Sequence, residues 1–316
     1  MNESRLPKTL QEAIIYFADP DTCTEFLAAV RWPEGPVCPR CGGKEHGYIS
    51  TRRIWRCKSC RREFTVKLGT IFEDSPISLQ KWLPAVWLIV NSKNGISSYE
   101  VARSLGVSQK TAWHMLHRIR LAMQSGSFEK LSGHVEVDET FIGGKARNMH
   151  ISARRDKITG RGGVDKTMVV GALERDGKVR LSVGADRGTE ALQGFVRANV
   201  AEGSTVATDA LGSYIGLDGD YTHEVVDHAV EYVNGTVHTN GIENFWSLLK
   251  RGLKGTYVSV EPYHLFRYLD ERAFTFNERE RSDFSRFVLV LAQTVGRRVT
   301  WAELTGATLQ DAAAAI

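Results

Sequence analysis

His134-Val-Glu-Val-Asp-Glu-Thr-Phe141, closed by Gly143-Gly144, alternates apolar and polar residues, the period-two pattern of a β-strand. As a strand it sets Glu136, Asp138 and Thr140 on one face, with Val135, Val137 and Phe141 on the other. A carboxylate in mid-strand suits sheet packing poorly, so Asp138 asks for a chemical reason. Downstream, Thr167-Met-Val-Val-Gly-Ala-Leu173 and Val179-Arg-Leu-Ser-Val183 read as two further strands, joined by a turn at Asp176-Gly177. A helix near Thr189–Asn199, a strand Ser204–Asp209 and a strand His223–Val226 come next. Thr239-Asn-Gly-Ile-Glu-Asn-Phe-Trp-Ser-Leu-Leu-Lys250 then opens a helix.

Strands alternating with helices signal an α/β domain. The acids fall on the first strand (Asp138), at the end of the fourth (Asp209) and on the last helix (Glu243). This order resembles the RNase H-like fold, a mixed five-stranded sheet flanked by helices, in which the first and fourth strands are neighbours. Asp138 and Asp209 then become neighbours too. Clustered carboxylates repel one another in a low-dielectric site, and a divalent cation relieves the repulsion. Hard oxygen donors with open positions suit Mg2+ or Mn2+, and two such ions support in-line displacement at phosphorus. Glu136 and Glu139 are alternative ligands on the first strand.

Glu243 has two readings. Asn240-x-x-Glu243 fits a helix cap with a reciprocal acid. Against that, Lys250 lies two turns on, about 20° round the helix and roughly 10 Å along it, where it can hold a phosphate while Glu243 holds a metal. Asn240 and Asn244 are neighbours able to share that role, and His238 is placed to orient a phosphate.

Nearer the N-terminus, Cys38-Pro-Arg-Cys41 and Cys57-Lys-Ser-Cys60 are two C-x2-C pairs with fifteen residues between them, a zinc-site spacing. Two such knuckles complete a closed four-thiolate shell, which makes the zinc structural. Gly47–Ser50 and Ile54–Cys57 read as the hairpin between them. Residues 31–67 contain ten Lys or Arg against three Glu, and Arg52, Arg53, Arg56, Lys58, Arg61 and Arg62 flank the knuckles. A second basic stretch, Lys145–Lys166, includes Lys145, Arg154 and Arg155. Two such runs point to a phosphate-rich partner.

Between ribbon and α/β domain, Ser98–Leu105, Gly106-Val107 and Ser108–Arg120 have helix-turn-helix form, with Gly106 at the turn and Ser108 as N-cap. Val101, Ala102, Leu105, Ala112, Met115, Leu116 and Ile119 make its apolar face. Gln109, Lys110, Trp113 and His114 are expected to project from the second helix toward DNA. A plain helical hairpin between domains is the alternative.

The chain divides into a helical segment at 1–32, a zinc ribbon at 33–72, a helix-turn-helix region at 78–125, the α/β domain at 131–283 and a C-terminal helical segment at 284–316. Its 42% hydrophobic and 25% charged content excludes a disordered chain. The longest apolar run, Trp82–Val90, is far short of the ~20 residues of a membrane span. The first residues carry acids and no apolar signal-peptide region, so an intracellular protein is expected. Cys23 reads as a small buried hydrophobe.

Asp138, Asp209 and Glu243, with thirty-three residues between the last two, resemble the carboxylate triad of the Asp-Asp-Glu (DDE) transposases and retroviral integrases. Val137-Asp-Glu-Thr-Phe-Ile-Gly-Gly-Lys145 and His238-Thr-Asn-Gly-Ile-Glu-Asn-Phe-Trp-Ser-Leu-Leu-Lys-Arg-Gly252 are similar to the bacterial insertion-sequence group called ISXO-like, whose members carry an N-terminal zinc ribbon. The resemblance implies transposase activity. It brings metal-dependent strand cleavage that exposes a 3′-OH, attack of that hydroxyl on target DNA, binding to terminal inverted repeats, and a dimer or larger assembly on double-stranded DNA. It further implies Asp138, Asp209, Glu243 and Lys250 as catalytic residues, His238, Asn240 and Arg251 near the DNA, and a bacterial cytoplasmic protein found at the nucleoid when bound to DNA. The competing readings are a DNA-binding regulator or inactive domesticated transposase, and an RNase H-like nuclease without strand transfer.

Overall fold

The computed structural model of the chain describes residues 6–124, 129–144, 166–184, 186–226 and 238–305. It divides into two compact units, one built from residues 1–124 with 280–316 and the other from 125–279.

The first unit begins with helices α1 (Leu10–Tyr16) and α2 (Pro20–Arg31), capped by Thr9 and Asp19. A three-stranded antiparallel sheet follows, from β1 (His46–Ile49), β2 (Ile54–Cys57) and β3 (Glu63–Phe64). The apolar run noted in the sequence lies in α3 (Leu79–Asn91), where Trp82 through Trp87, Ile89 and Val90 are buried. A helix apolar on every side belongs inside a core, and among the described residues no helix is long and apolar enough to cross a membrane.

Helices α4 (Ser98–Leu105) and α5 (Gln109–Met123) meet at Gly106, whose φ of 59° is the left-handed conformation a helix C-terminus favours. Ser97 and Glu100 form a full capping box on α4. Skipping the second unit, the chain returns as α9 (Asp283–Ala292), and Phe287 packs against Phe17, Phe26 and Trp87 with ring centroids 5.2–6.0 Å apart. The C-terminal segment is therefore part of the N-terminal core.

In the second unit, β4 (His134–Ile142), β5 (Thr167–Glu174), β6 (Val179–Val183), β7 (Thr205–Asp209) and β8 (Thr222–Val226) form one sheet in the order β6-β5-β4-β7-β8. The first three strands run antiparallel, while β7 lies parallel to both β4 and β8. At the hairpin between β5 and β6 only Asp176 takes a positive φ, 58°.

Alternation sends the two faces of this sheet into two cores. Val135 and Val137 of β4, with Met168, Val170 and Ala172 of β5, pack on Leu192 and Val196 of α6 (Thr189–Asn199). Val169 and Leu173 face the other way, onto Ile242, Phe245, Trp246 and Leu249 of α7 (Asn240–Gly252) and Leu265 and Leu269 of α8 (Leu265–Asn277). This is the RNase H-like arrangement expected, with the first and fourth strands of the domain paired.

Candidate active site and metal centres

In the ribbon, the four cysteines are free thiols whose sulfurs lie within 4.8 Å of one another. Cys38 Sγ is 3.8 Å from Cys60 Sγ, and Cys41 Sγ is 3.6 Å from Cys57 Sγ. A tetrahedral shell with metal–sulfur bonds of about 2.3 Å has edges of about 3.8 Å, so the donors fit zinc. The two knuckles are built alike. The fourth residue after each leading cysteine turns left-handed, Gly42 at φ 73° and Arg61 at φ 57°. Cys38 and Cys57 N–H then donate back to the Gly43 and Arg62 carbonyls. Backbone N–H of Cys60 pointing at its sulfur is the main force holding the Cys57 thiol down to about 6, toward the thiolate a metal needs. Outside the shell, Cys23 is fully buried, and burial pushes its thiol up to about 12.

The basic residues around the ribbon divide. Arg52 pairs with Glu63 at 3.0 Å and Arg53 with Asp21 at 2.6 Å, whereas Arg56, Arg61 and Arg62 are exposed. On α5, Lys110 is exposed, while Gln109 donates to Ser98 Oγ at 2.8 Å. Trp113 and His114 are half-buried, each with its ring against Trp301 of the short helix α10 (Trp301–Thr305). The first turns of this helix are thus more engaged within the protein than the sequence suggested. Lys145, Arg154 and Arg155 lie outside the described residues.

The carboxylate site assembles on β4 and β7. Their parallel register pairs Glu136 with Ala207, and carried two residues further it sets Asp138 level with Asp209. Oxygens of Asp138, Glu139 and Asp209 lie within 4.8 Å of one another. Glu139 comes from the opposite face of β4 and reaches the cluster beyond the last β4–β7 pair. Its carboxylate accepts from the Tyr214 hydroxyl and lies 3.4 Å from Arg187. Glu243 and Lys250 of α7 line the same cavity, about 380 Å3, with Thr140, Trp246 and Ser247. Glu243 is exposed and lies outside the close trio.

Burial is the main force raising the Asp138 carboxyl, with Asp209 and Glu243 adding to it against a hydrogen bond from the Trp246 indole. Burial likewise raises Glu139 and lowers Lys250, with Lys254 and Lys166 adding to the latter effect. Half-buried acids in mutual repulsion, offering hard oxygen donors with open space beside them, fit Mg2+ or Mn2+. Lys166, Lys250 and Lys254 line an adjoining cavity of about 270 Å3, while Asn240 and Arg251 are exposed on α7.

Two residues to which sequence alone assigns no role, Trp246 and Gly171, shape this site. Trp246 Nε1 donates to Asp138 Oδ2 at 2.9 Å, and the indole gets there by lying over Gly171, which faces Asp138 across the β4–β5 ladder. A Cβ at Gly171 stands 2.6 Å from Trp246 Cη2. A glycine inside an apolar strand is itself a sign of close approach.

The capping reading of Glu243 is also changed. Thr239, not Asn240, is the N-cap residue, and it makes no side-chain cap bond. The N-terminus of α7 is capped instead by Glu136, whose Oε2 accepts from Ile242 N–H at 2.9 Å. His238 sits with Nδ1 3.3 Å from Glu136 Oε1, at a buried carboxylate and not at an open phosphate position.

An RNase H-like domain with a convergent carboxylate cluster, in a chain that also carries a four-cysteine ribbon, defines a narrow class of protein. Residues 130–277 match the ISXO2-like transposase domain, and residues 18–63 match the transposase zinc-ribbon domain. An uncharacterized protein in transposable element ISH50 of Halobacterium salinarum is 32% identical over 271 residues, covering 82% of this chain and 90% of that protein. The chain belongs to the ISXO2-like transposase family of insertion-sequence proteins.

Proposed function

We propose that the protein is the working transposase of an insertion sequence, binding the terminal inverted repeats of its element, cutting the DNA there and joining the exposed ends to target DNA. The observation that supports this reading best is the convergence of Asp138, Glu139 and Asp209 oxygens within 4.8 Å, with Glu243 and Lys250 on the wall of the same cavity.

Asp138 and Asp209 would hold divalent cations, and Glu243 or Glu139 would complete the ligand set. Such ions, when bound, supply charge neutralisation at phosphorus and activation of the attacking oxygen. The chain's own groups orient the reaction. The Trp246 N–H fixes one Asp138 oxygen, Tyr214 and Arg187 fix Glu139, and Lys250 holds a non-bridging phosphate oxygen. In cleavage, a water oxygen forms a new bond to phosphorus and the bond to the 3′ oxygen breaks, that oxygen leaving as a hydroxyl. In joining, the freed 3′-OH forms a bond to a target phosphorus and loses its proton, while the bond from that phosphorus to the target strand's own 3′ oxygen breaks and this oxygen takes up a proton, leaving as a hydroxyl. The ribbon with Arg56, Arg61 and Arg62, and α5 with Lys110, bind duplex DNA.

The test is cleavage of an end-containing duplex with Mg2+ or Mn2+ by the wild type and by Asp138→Ala, Asp209→Ala, Glu243→Ala and Glu139→Ala. The two Asp variants are expected to bind DNA and lose cleavage by on the order of 10³-fold. The third ligand is whichever Glu variant falls with them. A zinc-loaded wild type that binds and never cuts makes the protein a regulator, and nicks without joined products make it a nuclease.

A further inference from the structure

Glu136 is buried, 1% exposed, on the same face of β4 as Asp138 and two residues before it. Among the described residues, none of its hydrogen-bond or ion-pair partners belongs to the carboxylate trio of Asp138, Glu139 and Asp209. One oxygen accepts from Ile242 N–H at 2.9 Å. The other is 3.1 Å from Arg175 Nε and 3.3 Å from His238 Nδ1, and Arg175 Nη2 donates to the His238 carbonyl at 3.1 Å. Ile242 immediately precedes Glu243. The strand that carries Asp138 is therefore tied, by a single carboxylate, to the backbone beside the acid on α7.

We propose that Glu136, seated by Arg175 and His238, is a positioning residue that fixes where Glu243 stands relative to Asp138. The inference rests on the proposed reading of the carboxylate site as a divalent-cation site, and it gives Glu136 a part in that site without contact to the ion or the DNA.

Three observations carry it. The first turn of a helix has unpaired N–H groups that a carboxylate satisfies well, and here the local cap residue, Thr239, makes no side-chain cap bond. The tie also needs a near approach of strand and helix: a Cβ at Gly241 stands 2.8 Å from Glu136 Oε2 and 2.9 Å from Leu173 Cδ2, so glycine lets α7 come this close. Finally, an ion pair with one buried member, as here between Glu136 and the half-buried Arg175, contributes little net stability over an apolar packing, and setting a register is the best-attested use of such pairs. Glu243 stands on the first turn of α7 with its Oε1 accepting from the Thr239 hydroxyl at 3.3 Å, so its placement follows the placement of that turn.

The experiment measures Mn2+ binding to the full zinc-loaded chain from the loss of the free-ion EPR signal. The variants are Glu136→Gln, Gly241→Ala, Glu243→Ala and the double variant Glu136→Gln/Glu243→Ala, each checked for folding by thermal melting. Glu136→Gln and Gly241→Ala are each expected to weaken Mn2+ binding about 10-fold, as for groups that orient a ligand. Their cleavage of end DNA should recover toward wild type at saturating Mn2+. The double variant is expected to bind no more weakly than Glu243→Ala alone, because Glu136 acts through Glu243. Wild-type Mn2+ affinity in both Glu136→Gln and Gly241→Ala overturns the proposal, leaving Glu136 a purely structural cap. A further tenfold loss in the double variant overturns it by showing independent action. Should Glu136→Gln not fold, Gly241→Ala keeps every charge and carries the same comparison, alone and combined with Glu243→Ala. A folded wild type that binds no Mn2+ fails at the site reading itself, and the proposal goes with it.

Discussion

The four-cysteine ribbon and the carboxylate site are two candidate metal centres in one chain, and they are built in opposite ways. The ribbon draws all its donors from Cys38 to Cys60, across a hairpin whose register pairs Ile49 with Ile54. Short loops bring them together at small entropic cost, and the shell is closed. The carboxylate site brings Asp138 and Glu139 of one strand to Asp209 of another, with Glu243 of a helix on the cavity wall, held in place by sheet pairing and by contacts such as Trp246 to Asp138. It keeps open space and keeps half-buried acids in mutual repulsion. The lesson is that a structural metal can hold its own scaffold together, whereas a reactive one has to be held by a scaffold that is stable for other reasons.

If that contrast is right, removing a ribbon ligand has the largest structural effect. Cys57→Ser is expected to take bound zinc from one per chain to less than stoichiometric, measured by a colorimetric release assay. It should also unfold the hairpin, read from the fluorescence of Trp55, which is buried and stacked on Phe64. The free energy at stake is that of structural zinc, on the order of 10 kcal/mol. A ribbon that stays folded without zinc breaks the comparison.

A smaller effect is expected at Gly171. Gly171→Ala forces the Trp246 indole away from its seat and should cost about 1–3 kcal/mol, as overpacking does, visible as a Tm lower by several degrees. Cleavage should fall by more than the folded fraction does, since Asp138 loses its N–H partner. Cleavage that merely tracks folding removes Trp246 from the site's account.

The smallest effect has the opposite sign. The folded-state Asp138 carboxyl is raised, mainly by burial, so the native state binds its proton more tightly than the unfolded chain does. Stability therefore falls as pH rises from the ordinary carboxylate range through the raised value. Asp138→Asn in chelator is expected to raise Tm at pH 7.5, with the gain shrinking as pH falls into the ordinary carboxylate range. A lower Tm at pH 7.5 breaks the view that the carboxylate cluster, stripped of cations by chelator, destabilises its scaffold.

Local spacing and period make much of the molecule legible in the sequence. Paired cysteines fifteen residues apart, alternation through Val135–Phe141, Gly106 between two amphipathic helices, and acids at strand ends are all patterns written within a few turns or strands. They lead to the ribbon, the helical hairpin, the order of elements in the α/β unit and the pairing of its first and fourth strands. Which partner each polar residue takes is not legible. Glu136 and Asp138 are equivalent by period, yet one caps α7 and the other joins Asp209. Arg52 and Arg53 look like free basic residues and are paired with Glu63 and Asp21. His238 has the look of a ligand contact and stands beside Glu136.

What the sequence by itself determined is therefore the kinds of element, their order and the chemistry each could carry, because helix and strand periods and knuckle spacings are set by neighbours along the chain. Only the tertiary structure decided that Phe287 closes the N-terminal core, that Glu139 joins Asp138 and Asp209, and that Gly171 and Gly241 exist to admit Trp246 and Glu136. Those choices depend on approach distances between segments far apart in sequence, where packing and desolvation, not local periodicity, select the contact.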